Sequence, residues 1–157
     1  MVRDETFIKD FLPIRQKKLF FYEKYFKLFV KLYKNNLFPN KILFTGQTGL
    51  GKSTFAYHLI NFVLSEKEKF PYDYKNFTIY DSNRSFRLIY QNCHPNFHLI
   101  ENFSDKQNID IKQIRNMINY VNKTSFDKEI KFVLIDNAEY LNLHSVNALL
   151  KIVEEPT

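Results

Sequence analysis

The nine residues "GQTGLGKST", from Gly46 to Thr54, contain all three glycines of a 157-residue chain. Four residues separate Gly46 from the run Gly51, Lys52 and Ser53, and this spacing is typical of a loop that wraps around phosphate. Backbone N–H groups can turn inward around an anion only with dihedral angles that glycine tolerates best. We therefore predict a nucleotide site in which Lys52 balances the terminal phosphates and the Ser53 hydroxyl binds Mg²⁺. The predicted site residues are Gly46, Gln47, Thr48, Gly49, Leu50, Gly51, Lys52, Ser53 and Thr54.

A second ligand for this metal is predicted in the stretch "KFVLIDNAEYL". The continuous apolar run at residues 131–135 is typical of a strand that is buried on both faces. Asp136 follows this run directly, at the edge of an open α/β sheet where ligands bind. Because a phosphate-bound Mg²⁺ needs such a carboxylate, we predict that Asp136 shares the metal with Ser53.

The residue after this aspartate, Asn137, bears on hydrolysis. In many nucleotide-hydrolysing proteins a glutamate stands there and polarises the attacking water. An amide cannot accept that proton at neutral pH, and Glu139, two residues on, would point elsewhere. The sequence therefore predicts nucleotide binding with little or no hydrolysis.

Three segments must position the loop. Residues 16–34 predict an amphipathic helix, because apolar side chains recur at helical spacing and lysines fill the other face. Its apolar positions are Phe21, Tyr25, Leu28, Phe29 and Leu32, and its lysines are Lys24, Lys27 and Lys31. Residues 41–44, an apolar run bounded by turn residues, predict a strand before the loop. From Lys52 the spacing is helical again, with Phe55, Leu59, Ile60 and Val63 as the apolar positions.

Two more helices are predicted downstream. One opens within residues 109–118, where Asp110 and Gln113 have the spacing of a capping box. Its apolar stripe is Ile114, Met117, Ile118 and Val121. The other lies in "HSVNALLKIVEEPT", where Ser145 is the expected cap and Pro156 the expected stop. Its apolar stripe is Val146, Leu149, Leu150 and Val153.

Composition indicates a globular protein, with 45% hydrophobic and 25% charged residues. The net charge of +6 permits binding to nucleic acid, although the scattered lysines also fit a composition bias along the whole chain. The single cysteine, Cys93, fits a reducing compartment. Charged residues interrupt the start, and no apolar run is long enough for a membrane helix. We therefore expect a cytoplasmic protein without a membrane partner.

The segment "FVLIDNAEYLNLHSVNALLKIVEEPT" closely resembles the region around the second nucleotide motif in the delta-prime and tau/gamma subunits of the bacterial DNA polymerase III clamp loader. "IDIKQIRNMINYV" resembles the helix that precedes this region, and "HPNFHLIE" resembles the second strand of delta-prime subunits. The resemblance covers residues 40–157, and the stretch from Asn147 to Pro156 is its most specific part.

This resemblance implies an α/β fold of the P-loop NTPase (AAA+) type, a parallel sheet flanked by helices. We expect a single nucleotide-binding domain, incomplete at its carboxyl end, with an N-terminal helix at about 16–36 and a nucleotide-binding core at about 40–157. The resembled family forms a five-subunit ring in the DNA polymerase holoenzyme and uses ATP to load the sliding clamp on primed DNA. The implied cofactors are ATP and Mg²⁺, and the implied partners are other clamp-loader subunits, the sliding clamp and primed DNA. Lys151, off the apolar stripe of the last helix, is the expected DNA contact.

The sequence also departs from the family's pattern. The family commonly carries a four-cysteine zinc module, whereas this chain keeps only Cys93 beside His94. One thiol does not make a tetrahedral site, so we predict no zinc. The family continues with a sensor strand, an arginine-finger motif and further domains. We therefore expect a fragment or remnant with an unfinished core, marginally stable and prone to aggregation.

Three alternatives come from other classes of protein. A small-molecule kinase uses the same loop but needs arginines over the phosphates, for which only Arg84, Arg87 and Arg115 are available after the loop. Another AAA+ replication protein, such as a helicase loader or initiator, shares the loop but not the stretch "NALLKIVEEP". An interaction subunit that holds ATP statically, or not at all, would also fit Asn137.

Overall fold

The computed structural model describes residues 11–102, 108–123 and 129–154. The chain divides into two compact units, Met1–Gln91 and Asn92–Thr157, and each is described by itself. Within the described ranges no helix is both long and apolar enough to cross a bilayer.

Over residues 11–91, the first unit contains three α-helices. They are α1 (Glu23–Lys34), α2 (Lys52–Leu64) and α3 (Arg84–Tyr90), preceded by a short 3-10 helix at Pro13–Arg15. Helix α2 is buried on all sides, from Phe55 continuously to Val63. Its start at Lys52 and its apolar positions confirm the sequence prediction for this helix.

An aromatic cluster forms the core around α2. Its centre is Phe26 of α1, which is fully buried. Ring centroids between 5.2 and 6.3 Å from that of Phe26 belong to Phe55, Phe62, Tyr72, Tyr74 and Phe77. Phe55, Phe62 and Phe77 meet Phe26 edge-on, whereas Tyr72 and Tyr74 stack on it. Aromatic side chains bury a large area each and prefer such edge and stacked contacts. Part of the high aromatic content of the chain therefore serves packing around the helix that follows the glycine loop.

A fully buried histidine, His58, lies in the middle of α2. Its Nε2–H donates to the carbonyl oxygen of Gln16 at 2.9 Å, since a carbonyl can only accept. Its Nδ1 therefore accepts from the Tyr72 hydroxyl, also at 2.9 Å. Burial lowers the pKa of His58 to about 4, so the ring is neutral at neutral pH. This histidine connects α2 to both the segment before α1 and the segment after α2.

The predicted helix over residues 16–34 is wrong in its start and in its buried face. Helix α1 begins only at Glu23, because the backbone before it pairs elsewhere: Lys18 bridges to Thr78, and Leu19 N–H donates to the Phe77 carbonyl. The buried residues are Phe26 and Val30, whereas the predicted Phe21, Tyr25 and Leu28 are exposed. Lys24, Lys27 and Lys31 are exposed, as predicted.

The predicted strand at residues 41–44 is absent from the structure. A strand exists through hydrogen bonds to a neighbour, and the two described strands pair with each other within the second unit. Phe44 instead packs its ring against Phe29 and Phe55, while Ile42 and Leu43 are exposed. Local apolarity indicated the segment but could not supply the partner.

The second unit is a βαβ arrangement with one further helix. Its elements are β1 (Phe97–Ile100), α4 (Ile111–Asn122), β2 (Phe132–Ile135) and α5 (Leu143–Glu154). The strands run parallel, with Phe97 opposite Phe132 and Ile100 opposite Ile135. Parallel neighbours need a crossover, which α4 provides. Ile100, Ile109, Ile114 and Met117 form the buried core of this unit.

Both strands were predicted, but β2 is half-buried along its length rather than buried on both faces. Successive side chains of a strand alternate between faces. Val133 and Ile135 face the core of the second unit. Helix α4 carries the predicted capping box, with Asp110 accepting from Gln113 N–H and Gln113 Oε1 accepting from Asp110 N–H.

Helix α5 differs from the prediction in its cap and its face. Asn142 caps it by accepting from Ser145 N–H at 2.9 Å, while Ser145 lies inside the helix and donates its hydroxyl to the Ile109 carbonyl. The inward face runs through Ser145, Ala148, Leu149 and Ile152. Leu150 and Val153, predicted to be inward, are 44% and 42% exposed. The predicted stop at Pro156 lies outside the described residues.

Candidate nucleotide site

The glycine loop has the backbone conformation that its sequence predicts. The φ angles of Gly46, Gly49 and Gly51 are 140°, 86° and 79°, in the region that other residues rarely adopt. A Cβ at Gly49 would meet no atom within 4 Å, so glycine is required there by its dihedral angle and not by space. Gly51, in the left-handed conformation, is the N-cap of α2, and its carbonyl accepts from Phe55 N–H at 2.9 Å.

Lys52 lies across the loop. Its Nζ donates to the carbonyl oxygens of Gly46 and Gln47, both at 2.9 Å. These two hydrogen bonds hold the ammonium group within the turn that the glycines make. A phosphate entering the loop would meet a positive charge already positioned there, together with the positive end of the α2 dipole.

The remaining predicted loop residues surround this arrangement. Gln47, Thr48 and Leu50 are exposed, and Ser53 and Thr54 are half-buried in the first turn of α2. An open cleft of about 210 Å³ lies beside the loop. Its lining comes from residues 16–22, excepting Lys17, and from Gly49, Leu50, Gly51 and Thr54. Sequence reasoning missed the contribution of residues 16–22, because it placed them in a helix.

Asp136 lies where it was predicted, directly after β2. Its backbone N–H donates to the Ile100 carbonyl at 2.8 Å, which extends the parallel pairing by one residue. Asn137 then turns the chain with φ 57° and ψ 57°, and this exposed residue precedes a short 3-10 helix at Ala138–Tyr140. Ser53 belongs to the first unit and Asp136 to the second, so their sharing of Mg²⁺ stays a prediction.

A second carboxylate, Glu101, follows β1 as Asp136 follows β2. Partial desolvation raises the pKa of Glu101, and the negative charge of Asp136 raises it further. Because Ile100 pairs with Ile135 in the parallel sheet, both carboxylates lie at the same edge of that sheet. The sequence carried a signal for Glu101, its place at the end of the segment from His94 to Glu101 that resembles a strand of delta-prime subunits, but the predicted site residues did not include it.

Two further predictions concern charge and metal. Lys151 is exposed on α5, away from the inward face, and its contact with DNA stays a prediction. Among residues 11–102, 108–123 and 129–154, no three His, Cys, Asp or Glu side chains are grouped so that they could hold a metal ion. Cys93 is exposed. The absence of zinc remains a prediction.

Comparison with known proteins identifies the family. The model of the family described as "DNA polymerase III, delta subunit" matches residues 22–157. DNA polymerase III subunit delta' of Pseudomonas aeruginosa is 27% identical over 115 residues, which are 73% of this chain and 33% of that protein. The same subunit of Buchnera aphidicola subsp. Schizaphis graminum is 29% identical over 134 residues, which are 85% of this chain and 38% of that protein.

The chain belongs to this DNA polymerase III delta subunit family. The resemblance to delta-prime subunits that its sequence motifs indicated is thereby confirmed. The chain spans between 33% and 38% of the length of these two relatives.

Proposed function

We propose that this chain is an ATP-binding subunit of the DNA polymerase III clamp loader, acting in DNA replication. Family membership and the names of the relatives support the role in replication, and they favour it over a small-molecule kinase or a helicase loader. The observation that carries the ATP site is the loop itself. Three glycines with positive φ bring a lysine ammonium to the N-terminus of a buried helix.

In the proposed site, Gly46–Thr54 holds the phosphates of ATP, and Ser53 together with Asp136 holds Mg²⁺. Mg²⁺ prefers oxygen ligands, and a hydroxyl with a carboxylate is a suitable pair. The metal would neutralise part of the phosphate charge that Lys52 also balances. This assignment goes with an AAA+ P-loop fold in which the parallel strands β1 and β2 belong to one nucleotide-binding domain.

We further propose that ATP is bound with little or no hydrolysis. The position after Asp136 carries an amide, which cannot act as a base toward water. The chain would then act by its nucleotide-bound shape within a ring of clamp-loader subunits, with the sliding clamp and primed DNA as partners of the assembly.

The test is an equilibrium titration with a fluorescent ATP analogue and Mg²⁺. We expect saturable binding by the wild-type chain and no measurable binding by Lys52→Ala, which removes the charge held inside the loop. Lys24→Ala, which removes an exposed lysine from α1, is the matched control and should bind as the wild type does. Equal affinity of wild type and Lys52→Ala would refute the site.

A further inference from the structure

Tyr22 connects the start of α1 to the phosphate loop. Its hydroxyl donates to the carbonyl oxygen of Leu50 at 2.5 Å. Its ring centroid lies 5.6 Å from that of Phe55 in the first turn of α2. A Cβ placed on Gly51 would lie 3.7 Å from Cε2 of the same ring. The tyrosine therefore lies along the last part of the loop and the beginning of the helix.

The hydrogen bond determines which way one peptide group of the loop points. A trans peptide is planar, and its C=O and N–H point in opposite directions. Because the Leu50 oxygen points to Tyr22, the N–H of Gly51 points away from it. Of the two polar groups of a peptide, only the N–H can donate to a phosphate oxygen, so the opposite orientation of this peptide would present a carbonyl oxygen to an anion.

This peptide needs an external partner to select its orientation. It joins Leu50 to Gly51, and glycine populates positive and negative φ about equally. The carbonyls of Gly46 and Gln47, earlier in the loop, already have a partner in Lys52. For the Leu50 carbonyl the partner is the Tyr22 hydroxyl. Lys52, a residue of the loop itself, thus orients the peptide groups at the start of the loop, and Tyr22 orients the peptide group at its end.

The residue before Tyr22 adopts an unfavourable conformation. Phe21 has a φ of 67°, although its side chain is 93% exposed and its ring contacts that of Phe20, which is itself exposed. Such strain persists only where the surroundings impose it. The neighbours that impose it are Leu19, buried and bonded to the Phe77 carbonyl, and Tyr22, packed on Phe55. The strained turn thus brings the Tyr22 hydroxyl to the loop.

We propose that Tyr22 is a positioning residue for nucleotide binding, whose hydroxyl holds the Leu50–Gly51 peptide with its N–H directed toward the phosphates. The proposal rests on the ATP site proposed above. It makes Tyr22, outside the glycine motif, a determinant of affinity for the phosphate-bearing ligand.

The three glycines provide a direct test, because a chain labelled with ¹⁵N-glycine gives amide signals from this loop alone. In the nucleotide-free protein, Tyr22→Phe should shift or broaden the Gly51 signal. The dissociation constant of the Tyr22→Phe variant for Mg-ATP should be about two to ten times that of the wild type, which is the range that one hydrogen bond contributes. Tyr33→Phe is the matched control, since it removes a hydroxyl of α1 that donates to Glu66 at 2.8 Å. That variant should leave the glycine signals and the affinity unchanged.

The outcomes separate the two proposals. If the wild-type chain binds Mg-ATP and Tyr22→Phe matches it in affinity and in the Gly51 signal, the role of Tyr22 is refuted and the ATP site stands. An equal loss of affinity in Tyr22→Phe and Tyr33→Phe would reveal general destabilisation and would also refute it. Absence of binding by the wild type would overturn the ATP site and, with it, the role of Tyr22 in binding.

Discussion

Lowering the pH should destabilise the first unit through His58. The folded chain keeps this ring neutral, with a pKa of about 4, whereas the unfolded chain exposes it with an ordinary pKa of 6.5. Between these two values the unfolded state binds more protons than the folded state, so stability falls as the pH falls. The contribution is fully present above pH 6.5 and is lost progressively toward pH 4.

The size of the effect follows from the difference between the two pKa values. Each unit corresponds to about 1.4 kcal/mol, so the full loss is about 3.5 kcal/mol. From about pH 7.5 to about pH 4.5 it amounts to about 2.5 kcal/mol, roughly one proton taken up on unfolding. The physical cost is that of charging a buried ring which lies between the Tyr72 hydroxyl and the Gln16 carbonyl.

Urea unfolding followed by circular dichroism at several pH values measures this loss. Glutamine in the His58→Gln variant keeps a donor and an acceptor but does not titrate. Between about pH 7.5 and about pH 4.5, this variant should therefore lose about 2.5 kcal/mol less of its free energy of unfolding than the wild type does. His144→Gln is the control, because the exposed ring of His144 meets water in both the folded and the unfolded chain. If wild type and His58→Gln lose stability in parallel, the neutral buried histidine is not the cause.

Three further expectations concern hydrolysis, DNA and the second unit. Asn137→Glu should raise steady-state phosphate release by less than about threefold, since no other subunit is there to supply an arginine finger worth about 10³–10⁵ in rate; a strong ATPase in this variant would contradict the argument. Binding to primed DNA should be weak, and Lys151→Ala should reduce by about one the slope of log binding constant against log salt concentration. Lys112→Ala should leave this slope unchanged, and filter binding at several salt concentrations measures both variants. Asn142→Ala should cost about 1 kcal/mol of stability, because the cap on Ser145 N–H is lost, and an unchanged urea midpoint would rule the cap out.

The features that the sequence predicted correctly are those determined locally. The glycine loop, the start of α2 at Lys52 and the capping box of Asp110 each depend on residues only a few positions apart. Strand β2 was also predicted, because a short apolar run before turn residues is a local signal, whereas β1 was expected only from the family resemblance of residues 94–101. The position of Asp136 followed from that of β2.

The errors arose where distant contacts decide. Helix α1 has apolar side chains on more than one face, so periodicity alone did not show that Phe26 and Val30 would be buried. Its start depends on pairing of Lys18 with Thr78, a partner about 60 residues away in the chain. Residues 41–44 form no strand because no neighbouring strand pairs with them, and a local sequence pattern cannot show whether such a neighbour exists. The burial of His58 and the contact of Tyr22 with Leu50 likewise depend on tertiary packing, so sequence alone gave no sign of either.

Three left-handed turns outside the loop are made by asparagine, at Asn36, Asn92 and Asn137, with φ between 54° and 57°. Asparagine tolerates this conformation but, unlike glycine, retains a Cβ that restricts its backbone. The chain therefore has a single segment, Gly46 to Gly51, in which glycine makes the backbone intrinsically soft, and comparatively stiff corners at these asparagines. Replacing the three asparagines by glycine would preserve their geometry and spread that softness over the molecule. In the natural sequence, the flexibility that glycine gives to a backbone is confined to the loop that is proposed to bind phosphate. An anion bound there would therefore restrict the backbone where its dihedral angles are least restricted.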